Sequence, residues 1–209
     1  MQIVRQFGVR RSGTNAMKAF LRNNFAVSVH DHHKHWLPTQ EELDSDVAEG
    51  YVVSVKDPYA WMDSMIRWRQ TCSRNWQKWN HQYDPVGYSI QDGNYFAEDH
   101  CNIWNAYNLG WHFMSLRTSK PVLIVGAEEF MADQVAVGKR IVATFDVAIR
   151  SKITPVIGVV APGVKETKTR FDPNYYLKKR YMDKLKALKP VINKRIDWGI
   201  AKLFNYERA

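Results

Sequence analysis

Three short stretches of this sequence combine charge, hydroxyls and imidazoles at spacings that suit chemistry on an anion. The first, Gly8-Val9-Arg10-Arg11-Ser12-Gly13-Thr14-Asn15, brings two glycines, two arginines and three polar side chains together. Glycine lets the backbone turn tightly and approach an anion, and Ser12, Thr14 and Asn15 add side-chain donors. Arg10 and Arg11 supply fixed positive charge on forked donors. A Walker loop performs the same task, but the GxxxxGK[ST] pattern is absent because no lysine follows Gly13. Without further context the stretch also fits a tight strand-to-helix turn carrying two solvated arginines.

The second stretch, Lys56-Asp57-Pro58-Tyr59-Ala60-Trp61-Met62-Asp63-Ser64, sets a cation and a hydroxyl eight positions apart. A strand-end lysine and a serine two turns into the following helix can converge on one phosphate. The third, His30-Asp31-His32-His33-Lys34-His35-Trp36-Leu37-Pro38, holds four histidines and an aspartate within six residues. Zinc sites usually draw ligands from at least two separated segments, and no second His/Cys group with suitable spacing occurs, so no metal is expected. Histidine has an unperturbed pKa of about 6.5, which suits it to take a proton near neutral pH. Lys34, beside these imidazoles, can neutralise charge on a transferring group.

Regular elements must hold these stretches in place. Gln2 to Phe7 reads as a strand running into Gly8, and Ala16 to Phe25 as a helix with Met17, Phe20 and Leu21 at helical spacing. That order puts backbone N–H groups at a helix N-terminus, a ready anion site. Tyr51 to Val55 predicts a second strand and Ala60 to Arg69 a helix. Pro121 to Val125 predicts a third strand. Helices are expected from Tyr95 to Leu116, where Trp104, Tyr107 and Trp111 recur at three and four, and from Gln134 to Phe145. The basic stretch from Tyr175 to Phe204 reads as helix with a break at Pro190. Alternating strands and helices predict an α/β fold with a central parallel β-sheet flanked by helices.

The 209 residues fit a single domain, 1–209, with a full core, and 45% hydrophobic content argues against disorder. Residues 71–94 are the least regular and read as an acceptor-side loop or lid. A net charge of +9 points to an anionic partner such as a nucleic acid, a membrane surface, an acidic glycan or a phosphorylated nucleotide. Cys72 and Cys101 form neither a metal motif nor a disulfide framework. With no apolar leader and no run long enough to span a bilayer, the expectation is a soluble, cytoplasmic protein.

Taken together, the first two stretches resemble the 3′-phosphoadenosine-5′-phosphosulfate (PAPS)-dependent sulfotransferases. Their first strand ends in (K/R)-S-G-T-(T/N), matched here by Arg11-Ser12-Gly13-Thr14-Asn15. Their second phosphate-binding segment places an arginine before (D/N)-P and a serine eight residues later, which Lys56 and Ser64 match with lysine for arginine. The resemblance implies a P-loop NTPase-like sulfotransferase fold and PAPS as co-substrate, with adenosine 3′,5′-bisphosphate as product. It implies that Arg10, Arg11, Ser12, Gly13, Thr14 and Asn15 cradle the 5′-phosphosulfate, Arg11 on the bridging oxygen. Lys56 and Ser64 are implied at the 3′-phosphate, with Lys168 and Arg170 from a basic C-terminal segment. Arginine does not give up a proton, so Arg11 would act electrostatically rather than as an acid.

Several family members carry a catalytic histidine in K-T-H-L-P between the two phosphate segments. His33-Lys34-His35-Trp36-Leu37-Pro38 is similar in composition and position, shifted by one residue. His35 is therefore implied as the base, with His33 as the alternative and Lys34 assisting. Val122 to Phe130, with Glu128 and Glu129, is similar to V-x-Y-E-D-L, a marker of the fold in which an acid fixes a loop. Trp68, Trp76, Trp79, Tyr83 and Tyr88, with Arg67, Arg69 and Arg74 among them, fit either an acceptor cleft or the core. The expected acceptor is a small molecule or glycan, with no nucleic acid as partner. Two other readings fit the same residues: a P-loop nucleotide or sugar kinase, and a non-catalytic basic nucleic-acid-binding module.

Overall fold

The computed structural model describes residues 1–72, 93–160, 168–170 and 172–209. Its centre is a four-stranded sheet of β1 (Gln2–Gly8), β2 (Val27–His30), β3 (Gly50–Val55) and β4 (Val122–Gly126). The spatial order is β2-β1-β3-β4 and every neighbouring pair is parallel. Parallel neighbours need long crossovers, and helices supply them. They are α1 (Thr14–Asn24), α2 (Gln40–Ser45), and the pair α3 (Pro58–Cys72) and α4 (Gly93–Arg117). After β4 come α5 (Ala127–Ala132) and α6 (Gln134–Phe145), then an antiparallel pair, β5 (Gly158–Val160) with β6 (Lys168–Arg170). Three short helices follow: α7 (Pro173–Leu177), α8 (Lys189–Arg195) and α9 (Trp198–Lys202).

Both faces of the sheet are covered, as the α/β pattern predicts. Side chains alternate along a strand, so Tyr51, Val53 and Val55 enter one core while Val52 enters the other. The first core joins Phe7 and the β3 residues to Trp61 of α3 and to Trp104, Tyr107 and Trp111 of α4. The second joins Val4, Val52, Leu123 and Val125 to Met17, Phe20 and Leu21 of α1 and to Val137, Ile141 and Phe145 of α6. All six residues of β3 are buried, which explains its unbroken apolar reading.

Three features differ from expectation. Val27-Ser28-Val29-His30 forms an edge strand that is too short and too mixed in polarity to announce itself. The C-terminal stretch is not one helix: turns fill residues 178–188, and Lys179 takes a left-handed φ of 50°. Pro190 lies in the first turn of α8, where a missing N–H costs nothing, so it starts a helix rather than breaking one. Lys and Leu favour helix, but packing Tyr181, Leu185, Ile192 and Ile196 into the first core decides the path instead. Of the expected lid at 71–94, the ends belong to α3 and α4, and 73–92 lie outside the described residues, with Arg74, Trp76, Trp79, Tyr83 and Tyr88. Among the described residues, no helix is long and apolar enough to cross a membrane.

Candidate functional site

From β1 the chain crosses to β2 on one side; from β3 it crosses to β4 on the other. Connections therefore reverse between β1 and β3, and in open parallel sheets ligands bind outside the carboxyl ends of the strands at such a reversal. Gly8 stands in register with Ser54, so the Gly8–Asn15 loop and the Lys56 turn emerge side by side.

The loop is held from beneath by side chains. Ser12 is fully buried and its Oγ donates to Val9 O at 2.7 Å. Trp61 Nε1 donates to Arg10 O at 2.6 Å. The Tyr107 hydroxyl accepts from Gly8 N at 3.0 Å and donates to Lys34 O at 3.3 Å. Burial raises the pKa of that phenol, which keeps it a donor. At Gly8 any Cβ would lie 2.6 Å from Ser12 Oγ and 2.7 Å from Ser54 O, so the close approach requires glycine. Arg11 and Gly13 take left-handed φ values of 67° and 92°; at arginine this costs about 1 kcal/mol. The first carbonyl bonded in α1 is Gly13 O, which receives Ala16 N and Met17 N. Thr14 N and Asn15 N precede that bond, in the turn where a helix has no acceptors of its own.

His35 sits against this loop. Its Nδ1 is 2.7 Å from Gly8 O. A carbonyl only accepts, so Nδ1 carries the proton and Nε2 keeps its lone pair. Burial, chiefly, pushes the imidazole down to about 4; Lys34 and Arg10 add to the fall, while the Gly8 hydrogen bond opposes it. At neutral pH the ring is uncharged and able to accept a proton. Lys34 Nζ donates to Asn15 Oδ1 at 2.8 Å and to Asp31 Oδ2 at 3.1 Å, and Lys18 pairs with Asp31 at 2.7 Å. Burial raises the Asp31 carboxyl, but these lysines outweigh it and leave it below its usual range.

The second segment converges as the eight-residue spacing suggests. Lys56 is 4% exposed, and its Nζ donates to Ser64 Oγ at 2.6 Å. The same ammonium lies 3.5 Å from Arg11 O, which ties the two segments together. Burial lowers the Lys56 pKa. Two further residues complete the cluster. Tyr176 of α7 lays its ring 4.1 Å from Lys56 Nζ and its hydroxyl 3.3 Å from Ser64 Oγ. Arg67 Nη2 donates to the same hydroxyl at 2.6 Å, while Arg67 Nε donates to Asp63 Oδ2 at 2.9 Å. Behind them a cleft of about 280 Å³ is lined by Asp57, Glu128, Tyr176, Lys179, Tyr181 and Tyr206, among others. Glu128 accepts from Asp57 N at 3.3 Å and from Tyr206 OH at 2.9 Å, so the acid after β4 fastens the Lys56 turn. Burial raises the carboxyls of both Asp57 and Glu128.

The structure thus gathers Arg11, Gly13, Thr14, Asn15, Lys34, His35, Lys56 and Ser64 around the carboxyl ends of the central strands β1 and β3. Ser12 supports the loop from inside. The Arg10 guanidinium lies over the Trp68 ring at 5.6 Å. His33 is exposed, with φ 54° and its ring edge-on to His32 and tilted against Trp36, away from Gly8 O, where His35 sits. Among the described residues no three His, Cys, Asp or Glu side chains converge as metal ligands. Lys168 and Arg170 lie on β6, and their side chains are outside the described residues. Sequence reasoning gave no site role to Tyr107 or Tyr176 and set Arg67 beside an acceptor cleft. Only Arg67 had a local signal, one turn beyond Ser64 on the same helix face. Comparison with protein-family models and with curated proteins gives no match.

Proposed function

We propose that this chain is a sulfotransferase that takes a sulfuryl group from PAPS and gives it to a hydroxyl or amine of a small-molecule or glycan acceptor. The observation that carries the reading is the 2.6 Å contact between buried Lys56 and Ser64 beside the Arg11 loop, at the reversal of the parallel sheet. A buried ammonium and hydroxyl aimed at one point suit a terminal phosphate, and first-turn N–H groups of α1 suit a second phosphate nearby. The residues present therefore fit a nucleotide with phosphates at two ends.

PAPS would supply an activated sulfuryl group; the chain supplies position and charge. His35 Nε2 takes the acceptor's proton as the acceptor's oxygen or nitrogen bonds to sulfur and the sulfur–oxygen bond to phosphate breaks. Arg11, Lys34 and the N–H groups at Thr14 and Asn15 receive the charge left on the departing bisphosphate and on the transferring oxygens. The absence of a lysine after Gly13 disfavours a kinase, which needs that cation with Mg²⁺. The reaction fits the cytoplasm, where a buried thiol such as that of Cys101 stays reduced.

Calorimetric titration with adenosine 3′,5′-bisphosphate, against ATP and AMP, tests the reading. Binding that requires the 3′-phosphate is expected, weakened roughly 100-fold by Lys56→Met and about 10-fold by Ser64→Ala. A preference for ATP with Mg²⁺, or no nucleotide binding, would overturn it.

A further inference from the structure

Resting on that reading, the cluster around Lys56 holds one more group than a lysine–serine pair needs. The Tyr176 oxygen sits where an anion would: 2.6 Å from Arg67 Nη2 and 3.3 Å from Ser64 Oγ, with the Lys56 ammonium 4.1 Å from its ring. Arg67 Nη2 also reaches Ser64 Oγ at 3.4 Å, so guanidinium, hydroxyl and ammonium surround a single point. We propose that Arg67 is a third ligand of the nucleotide's terminal phosphate, and that the Tyr176 phenol is a built-in stand-in which the phosphate displaces.

Geometry supports both halves. Arg67 Nε and Nη2 both lie 2.9 Å from Asp63 Oδ2, which orients the guanidinium, and Nη2 reaches on from there to the Tyr176 hydroxyl and Ser64 Oγ. Asp63 is itself held by the Tyr175 hydroxyl at 3.0 Å, so this carboxylate fixes the arginine rather than filling the anion position. Tyr176 is only partly buried at the margin of the first core and also lines the 280 Å³ cleft, which gives its ring a place to go. The electrostatics agree. Burial raises the phenol's pKa, yet Lys56, Ser64 and Arg67 outweigh it and leave it lowered, as a position that favours negative charge must. An arginine there adds a planar fork that lysine lacks, which compensates for lysine at position 56.

The consequence is specificity with a threshold. Ligands without a 3′-phosphate cannot displace the phenol, and apparent affinity for those that carry one is reduced by the fraction of chains in which Tyr176 occupies the cradle. The test titrates wild type, Tyr176→Phe and the double variant Tyr176→Phe/Arg67→Gln with adenosine 3′,5′-bisphosphate and with AMP. Removing the phenol oxygen should tighten bisphosphate binding about fivefold and leave AMP unchanged. Adding Arg67→Gln to that background should then weaken the bisphosphate roughly tenfold or more, again sparing AMP. The double variant is used because Arg67 also anchors Tyr176, so the single change would mix the two effects. Bisphosphate binding that is 3′-dependent but weakened or unchanged by Tyr176→Phe would overturn the inference and leave the sulfotransferase reading standing. Equal loss of both nucleotides on adding Arg67→Gln would do the same. If neither wild type nor Tyr176→Phe binds the bisphosphate, the underlying reading falls and this inference with it.

Discussion

At the carboxyl end of β1 the anion-directed groups are largely backbone; at the carboxyl end of β3 they are side chains. The first site is shaped by Gly8, by left-handed Arg11 and Gly13, and by buried side chains that grip the loop from below. Its donors come with the helix N-terminus. The second site is built from Lys56, Ser64 and Arg67, and a fourth side chain already sits among them. A backbone site is robust to truncation and sensitive to any added Cβ. A side-chain site is the reverse, and it can be filled by the protein's own residues. The first arrangement suits chemistry that needs fixed geometry; the second suits selective capture.

If that division holds, the largest effect comes from substituting the base. His35→Gln should lower turnover by about 10²- to 10⁴-fold while leaving bisphosphate affinity within a few-fold of wild type. Lys56→Met should do the opposite, losing affinity first. Parallel loss of turnover and affinity in His35→Gln would mean that the imidazole shapes the loop instead of taking a proton, and the division would collapse.

The same division explains what could be read from residues alone. Gly8 to Asn15 is contiguous, so its turn and charge are visible as a string. Lys56 and Ser64 lie on one strand end and one helix, so their spacing implies convergence. Tyr176 meets Ser64 across 112 positions, and no local pattern marks a tyrosine that will return to a lysine so far upstream. Tyr107 was legible as part of a buried helical stripe with Trp104 and Trp111, but its hydroxyl's task depends on where Gly8 and Lys34 end up. His35 could be separated from His33 only once the chain path put one ring on Gly8 O and the other on Trp36. In the fold, β1, β3 and β4 were legible because each carries apolar residues over five to seven positions and runs into a marked turn, while β2 was not, because four residues of mixed polarity are too few to show a pattern.

A second expected effect is the pH dependence that His35 brings to the first site. His35 titrates near 4 when folded against an ordinary 6.5. Between those values the unfolded chain binds more protons than the folded one, so stability falls as pH drops from about 6.5 to about 4. The full loss is up to about 3 kcal/mol. Asp57 and Glu128, whose pKa values are raised, contribute a slope of opposite sign, but they are present in wild type and variant alike. Denaturant unfolding of wild type and His35→Gln across pH 4 to 7 isolates the histidine. The gap between the two curves should change by this amount over that window, and a constant gap would show that the ring is not held neutral against Gly8.

The smallest effect is expected beneath the loop. Tyr107→Phe removes a hydroxyl that accepts from Gly8 N and donates to Lys34 O, but Gly8 N keeps a second acceptor, Lys34 O itself, at 2.9 Å. Because no buried backbone donor is orphaned, the cost should be about 1 kcal/mol, the net worth of one exchanged hydrogen bond, read as a shift in the denaturant midpoint with unchanged slope. Turnover should fall a few-fold as His35 loses definition, since Lys34 precedes it in the chain. Affinity for the bisphosphate should stay put, because nothing in the Lys56 cluster touches this hydroxyl. A loss well above 3 kcal/mol, or a matching drop in bisphosphate affinity, would show that the two sites share one scaffold and cannot be tuned apart.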